Sequence, residues 1–320
     1  MLDLVYTERT GGTAVATVPA PRPFRPMSAA MCHRVREEDA FPIAWTALDA
    51  NQFLVRACWP ADHPFFAPVQ GGIHDPMLIA ETMRQASMAV IHAAYDVPLD
   101  HHFLLTDLDY TCHPEGLGVS DRDNTVDVRI TFSQLKYRGG RVSQMRVDTV
   151  FERDGRPVAT SGGDVRLTSR AAYHRLRGDR SVPVLAVPVE PPVDPHLVGR
   201  PHVDHVLLSP TAEEPGEWNL RVDTRHPTLF QRPNDHIPGM LLFEAARQAA
   251  YAATAPTSFL PVHGSISFHR YAEFGIPCRI ATRVIPPLAP GTRAVVSVTG
   301  HQDGDPVFQC TFLTPQRMAL

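Results

Sequence analysis

The chain has 320 residues, a length that suits about two domains, and its 43% hydrophobic and 20% charged residues fit a soluble globular protein with a real core. A formal charge of −4 and a pI near 6.5 exclude nucleic acid as the main partner. No apolar run of about eighteen residues is present, which excludes a membrane-spanning helix and leaves no membrane partner. The first 26 residues lack the basic and apolar regions of a secretory leader. The cysteines Cys32, Cys58, Cys112, Cys278 and Cys310 are odd in number and show no CxxC or Cys/His ligand spacing. Neither a disulfide framework nor a zinc site is expected, and the expected setting is the cytoplasm.

Residues 1–29 read as an arm. A short alternating run at 53–59 predicts a strand ending before His63-Pro64. Asp75-Pro76 supplies an N-cap and a first-turn proline, predicting a helix to about Tyr95. Strand-like runs follow at 103–111, 126–135, 142–152 and 158–167. Their alternation, as in Val126-Asp127-Val128-Arg129-Ile130, suits antiparallel strands covered on one face. Between Pro183 and Pro201, the prolines Pro188, Pro191, Pro192 and Pro195 resist helix and ladder alike and predict an extended linker. Pro238-Gly239 then opens a second helix through about Ala253, with strands predicted at 265–271, 279–285, 294–299 and 307–313.

The same order of elements occurs twice because the chain contains a repeat. His63-Pro64 matches His226-Pro227 at an offset of 163. The same offset pairs Met77-Leu78 with Met240-Leu241, Glu81 with Glu244, Arg84-Gln85-Ala86 with Arg247-Gln248-Ala249, and Ala89 with Ala252. Nine identities fall in the 27 ungapped positions from 63 to 89, where average composition gives about two. The expected organisation is an N-terminal arm (1–29), a first unit (30–172), a linker (173–199) and a second unit (200–320). One helix followed by about four antiparallel strands per unit is an α+β layout. The run from Met240 to Ala250 is apolar nearly all round, which predicts a buried helix. A sheet wrapped around a buried helix is the hotdog arrangement, so the expected fold is a tandem hotdog. Its two units can pair their sheets within one chain, as a monomer or as part of a homodimer.

Glu81 and Arg84, like Glu244 and Arg247, stand three apart and share a helix face. On a helix with almost no polar face, such groups are costly unless they are paired or functional. They are therefore site candidates, with a structural pair joining the two halves as the alternative. At the start of the second helix, Gly239 allows close approach, and the backbone N–H groups of Gly239 and Met240 with the helix dipole can stabilise an oxyanion.

The segment DHIPGMLLFEAARQAA, from Asp235 to Ala250, resembles the loop and helix start of hotdog acyl-carrier-protein dehydratases. The dehydratase pattern places its histidine fourteen residues before the helix glutamate; that position is Phe230, and neither His226 nor His236 holds the spacing. His63-Pro64 and His226-Pro227 are instead expected to shape the turn before each helix. With the duplicated His-Pro and a weaker copy of the segment around Glu81, the chain is similar over both units to the A-factor biosynthesis family of actinobacteria. The first copy departs from the second, carrying Gly71-Gly72-Ile73-His74-Asp75-Pro76 in place of the DHIPG segment.

The resemblance implies a tandem-hotdog acyltransferase. It would join a β-ketoacyl group from an acyl carrier protein to a hydroxyl of dihydroxyacetone phosphate, towards a γ-butyrolactone, butenolide or furan signal, with no cofactor and no metal. In that chemistry Glu244 is the expected base, its pKa raised by burial. Arg247 is expected to grip the phosphate or polarise the donor carbonyl, and Glu81 to assist the acceptor, with Arg84 beside it. Gln248, Gln85, Gly239, Met240 and His236 complete the expected substrate-binding set. Replacing Glu244 by Ala is expected to abolish turnover with the fold retained. Lys136, Arg138 and Arg141 around Gly139-Gly140 are the expected basic rim for the acidic carrier. A dehydratase or thioesterase acting on carrier thioesters is one alternative, and a non-catalytic acyl-binding regulatory protein is another.

Overall fold

The structure, a computed structural model, describes residues 23–69, 72–211, 216–255, 259–285 and 294–314. The arm expected over 1–29 lies outside the described residues as far as residue 22. The first half then runs β1 (Arg25–Pro26), β2 (Pro42–Ala47), β3 (Gln52–Cys58), α1 (Met77–Ala94), β4 (His102–Leu105), β5 (Asp107–Cys112), β6 (Thr125–Arg138), β7 (Arg141–Arg153), β8 (Arg156–Thr168) and α2 (Arg170–Arg177). The second half comprises β9 (Leu208–Pro210), β10 (Glu217–Leu220), α3 (Gly239–Thr254), β11 (His263–Phe268), β12 (Arg279–Ile285), β13 (Val295–Gln302) and β14 (Asp305–Leu313).

All the strands join one antiparallel sheet, in the order β1-β2-β3-β6-β7-β8-β5-β11-β14-β13-β12-β10-β9, with β4 paired to β8. Read outward from its middle, the sequence β5-β8-β7-β6-β3 is mirrored by β11-β14-β13-β12-β10. The halves meet where β5 pairs with β11, from His263 opposite Thr111 to Ser267 opposite Asp107. At that seam Gly264 is needed for close approach: a Cβ there would lie 2.7 Å from the Tyr110 ring. The tandem hotdog is thus one continuous sheet wrapped around two helices.

Both helices are apolar on nearly every face because the sheet covers them. Leu78, Ile79, Met83 and Ile91 of α1 and Leu241 and Phe243 of α3 are fully buried. Each such side chain contributes about 1.5–3 kcal/mol relative to exposure. Phe243 stacks on Phe312 of β14 with ring centroids 5.6 Å apart, tying α3 to the sheet. Strand alternation works as the sequence implies: in β13 every second residue, including Val296 and Val298, is buried.

Strands β1, β2 and β9 lie outside the expected runs, and two further local features differ from the expectation. The single strand expected at 103–111 is broken at Thr106, whose N–H donates to Asp164 O at 3.0 Å. Gly163 makes room for that bend, since a Cβ there would meet Asp107 O at 2.4 Å. Helix α2, not anticipated, straddles residue 172, the expected end of the first unit. Ser169 caps it by accepting from Ala172 N at 3.4 Å, and Gly178 closes it at φ +54°. The His-Pro turns behave as expected in both copies. His63 Nδ1 accepts the N–H groups of Phe65 and Phe66 at 3.1 and 3.2 Å, and His226 Nδ1 accepts those of Thr228 and Leu229 at 3.2 Å.

Candidate active site

Each buried helix carries a glutamate gripped by two arginines and a glutamine. On α3, Glu244 accepts from Arg247 Nε (2.8 Å) and Nη2 (2.9 Å), from Arg200 Nε (2.9 Å), and from Gln248 Nε2 (2.7 Å). On α1, Glu81 accepts from Arg84 Nε (3.0 Å) and Nη2 (2.7 Å), from Gln85 Nε2 (2.6 Å), and from Arg34. The outer arginine of each set anchors across the pseudo-twofold: Arg34 donates to Thr228 O and Arg200 to Phe65 O, both at 3.0 Å. The glutamines complete the sets by clamping backbone. Gln85 holds Phe41 N and Asp39 O, and Gln248 holds Leu207 N and His205 O.

These contacts decide the charge state. Burial alone would push both carboxyls up, but Arg34 with Arg84, and Arg200 with Arg247, outweigh it and hold Glu81 and Glu244 at about 2. The raised pKa expected for Glu244 is therefore corrected. A carboxylate that stays ionised and is saturated by guanidinium donors is a poor proton acceptor. In both copies the glutamate orients arginines.

The two sets differ in access. A cavity of about 770 Å³ is bordered by Glu81 and Arg84 of α1, by His33 and Arg34, and by Gly239 and Met240 at the start of α3. Arg232 and His236, on the loop leading into α3, also border it. Apolar side chains continue the wall, among them Phe66, Met77, Leu108, Phe243 and Ile266. Glu244 touches the cavity, whereas Arg247, Gln85 and Gln248 do not line it, their polar atoms being engaged as described.

The start of α3 borders the cavity at Gly239 and Met240. Ile237 N–H pairs with Ala272 O, Pro238 adopts extended backbone, and no side chain caps the helix among the described residues. The amides of Leu241 and Leu242 turn back to Pro238 O, so those of Gly239 and Met240 head the helix. Gly239 packs against the tip of the Phe268 ring, where a Cβ would come within 2.9 Å of it. At α1 the same place is filled: Asp75 Oδ1 accepts the Met77 N–H at 2.9 Å, and its other oxygen lies 3.8 Å from Arg200.

Sequence comparison then fixes the relationship. The family model AfsA, described as the A-factor biosynthesis hotdog domain, matches residues 15–169 and again 185–315. The chain belongs to this family. Among curated family relatives, the chain is 50% identical over 291 residues to a 2-oxo-3-(phosphooxy)propyl 3-oxoalkanoate synthase of Streptomyces griseus, covering 91% of this chain and 96% of that protein. A synthase of the same name from Streptomyces coelicolor is 51% identical over 290 residues, covering 91% and 92%. Among solved structures, one described as an oleoyl thioesterase from Lactobacillus plantarum superposes with a TM-score of 0.51 at 11% identity, covering 85% of this chain and 99% of that one. That likeness establishes the shared hotdog fold.

Within this family frame, several functional groups emerge that the sequence reading missed. Arg34 and Arg200 complete the carboxylate clusters. Their signal was present but weak: an arginine seven residues before an apolar anchor occurs twice, as Arg34…Phe41 and Arg200…Leu207, at an offset of 166 rather than 163. Arg232 extends the first cluster. Its Nη2 donates to His33 Nδ1 at 2.9 Å, and although the residue as a whole is exposed, partial desolvation and the nearby charges of Arg84 and Arg34 hold its pKa below the usual arginine value. His33 is pushed down to about 2 by burial and by Arg232, so it is neutral and accepts that bond. The hairpin tip with Lys136, Arg138 and Arg141 is exposed and borders no part of the cavity, whose rim instead carries Arg166, Arg170 and Arg270. Among the described residues no group of three His, Cys, Asp or Glu could hold a metal ion, and no helix is long and apolar enough to cross a membrane.

Proposed function

We propose that the chain is an acyltransferase that joins a β-ketoacyl group, delivered as a thioester on an acyl carrier protein, to the free hydroxyl of dihydroxyacetone phosphate. The observation that carries this reading is the pairing, in one cavity, of an uncapped helix start with a net-cationic wall. Around Glu81 the wall carries Arg34, Arg84 and Arg232, three positive charges to one carboxylate, while Glu244 and Asp235 on the same wall are paired with arginines of their own. The excess of two matches a phosphate monoester dianion. The name of the Streptomyces synthases describes an ester of that kind, a 3-oxoalkanoate carrying a phosphooxypropyl group.

In this reading Arg84, Arg34 and Arg232 hold the phosphate, with Glu81 fixing the first two. The apolar wall takes the acyl chain. The hydroxyl oxygen attacks the thioester carbonyl, and Gly239 and Met240 N–H stabilise the oxyanion. Collapse breaks the C–S bond and releases the carrier thiol after it takes up a proton. Glu244, Arg247, Gln248 and Gln85 act as the frame that holds both helices in register. The carrier docks at the rim formed by Arg166 and Arg170, and a monomer suffices, since the cavity is built from both halves of one chain.

The test is mass-spectrometric detection of the phosphorylated ester from a β-ketoacyl thioester and dihydroxyacetone phosphate. The expected result is ester formation with strong preference over unphosphorylated dihydroxyacetone, a preference that shrinks in Arg232→Ala. Charge reversal at Arg166 and Arg170 is expected to raise KM for a carrier-bound donor and leave a pantetheine thioester unaffected. Thioester consumption with only free acid or enoyl product would overturn the reading.

A further inference from the structure

With both helix glutamates saturated by arginine, the acceptor hydroxyl still needs a proton acceptor. His236 lies three residues before Gly239 in the chain and borders the same cavity. Its Nδ1 is 2.8 Å from Asp235 Oδ1, and its Nε2 makes no hydrogen bond among the described residues. We propose that His236 is the general base of the reaction, with Asp235 as the residue that fixes its tautomer and orientation; this rests on the acyl-transfer reading given above.

The geometry separates His236 from three of the other cavity histidines, His33, His101 and His102. His33 has both ring nitrogens engaged, Nδ1 by Arg232 and Nε2 by His92, each at 2.9 Å. His102 lies flat against Tyr173, with ring centroids 3.7 Å apart. His101 has a carboxylate partner, Asp100, but that side chain is 62% exposed and 3.2 Å away. Asp235 is only 9% exposed and is held from three sides. Tyr173 O–H donates to it at 2.8 Å, Arg177 Nε donates at 2.9 Å, and Arg177 is itself braced by Glu273 at 2.6 and 2.8 Å. Burial alone would raise the Asp235 carboxyl, but His236, Arg177 and Tyr173 together hold it far below the usual carboxylate range.

An ionised Asp235 accepts the Nδ1–H of His236 and leaves the lone pair on Nε2. In the reaction that lone pair takes the hydroxyl proton as the C–O bond forms. The resulting imidazolium, stabilised by Asp235, returns the proton to the departing thiolate as the C–S bond breaks. Proton and charge balance without a further reactant. The brace also explains α2: Tyr173 and Arg177 are positioning residues, carried by the first half to lock a loop of the second. The titratable and charged groups facing His236 are Asp235 on its own loop, Tyr173 and Arg177 from α2, His102 from β4, and Tyr271 and Glu273 after β11.

The experiment uses the full chain with a β-ketoacyl pantetheine thioester and dihydroxyacetone phosphate, measuring ester formation across pH. His236→Gln is expected to lower kcat by about 10²–10⁴-fold, with the Kd for dihydroxyacetone phosphate and the melting temperature near wild type. The acid limb of the kcat/KM profile should vanish in this variant, and added imidazole should restore part of the rate to His236→Ala. Asp235→Asn should lower kcat while displacing that limb, which a purely structural role would not do. Wild-type ester formation with an undiminished His236→Gln rate overturns the dyad alone. Absence of ester from the wild type overturns the acyl-transfer reading beneath it.

Discussion

Glutamine in place of each helix glutamate should separate the closed cluster from the open one. In Glu244→Gln, Arg200 and Arg247 lose their shared carboxylate while each remains only 5% exposed. Removing one partner of a buried ion pair costs about 3–5 kcal/mol, because the remaining charge is neither solvated nor matched. At a urea m-value of about 3 kcal/mol per M or more, the midpoint should fall by roughly 1 M. In Glu81→Gln the side chains of Arg34 and Arg84 keep 10% and 20% exposure and border the cavity, where water and anions reach them. The loss there is nearer the ~1–3 kcal/mol of a lost charged hydrogen bond. Dihydroxyacetone phosphate at millimolar concentration should restore Glu81→Gln, since a ligand at 100 times its Kd adds about 2.7 kcal/mol. The same ligand should give Glu244→Gln no more than wild type gains. The assay is urea unfolding followed by tryptophan fluorescence, with and without the ligand. Equal losses in the two variants with equal rescue, or an unchanged midpoint in Glu244→Gln, would refute the distinction. On this account Glu244→Ala fails by losing the frame, in contrast to the fold-retaining loss of turnover anticipated from sequence.

The remaining predictions concern pH and the helix start. Glu81 and Glu244 are held at about 2 against an ordinary 4.5, so their contribution to stability is complete above about pH 5 and is lost as pH falls from 4.5 towards 2. Each depression corresponds to about 3 kcal/mol, and thermal melts from pH 6 to pH 3 should show a steep fall that flattens in the Glu244→Gln variant. A melting temperature independent of pH across that range would contradict the ion-pair assignment. Gly239→Ala should lower kcat by about tenfold or more, because a Cβ 2.9 Å from the Phe268 ring displaces the amides that head α3. Wild-type steady-state kinetics in that variant would remove those amides from the mechanism.

What was legible in the sequence was whatever repeats or alternates. The offset of 163 found both helices and both glutamates, and period-two runs found the long strands within a few residues. The strand break at Thr106 was not legible, because it depends on Gly163 yielding space to a carbonyl from another strand. Helix α2 has sequence signals, namely Ser169 at its start and Gly178 at its end, but its role depends on Asp235, 58 residues beyond Arg177. The sign of the Glu244 pKa shift was misjudged for a related reason. Arg200 stands 44 residues away in sequence, and a reading without it leaves desolvation of the carboxyl to set the sign.

The duplication also shows where two copies of one cluster diverge in charge and access. At the offset of 163, Asp75 corresponds to Pro238 and Val69 to Arg232. In the α3 cluster, Arg200 and Arg247 face Glu244 and Asp75, two positive charges against two negative, and Asp75 caps the neighbouring helix start. In the α1 cluster, Arg34 and Arg84 face Glu81, Arg232 is held close by on His33, and among the described residues no side chain caps the helix start beside them. Two positions therefore convert a neutral, closed cluster into an open one with an excess of two positive charges. A neutral buried cluster is stable with nothing bound, whereas an excess of two charges at a cavity wall is relieved by an anion. In the proposed acyl transfer, the asymmetry between Asp75 and Pro238 would direct a phosphorylated acceptor to the wall formed by α1 and its thioester partner to the start of α3.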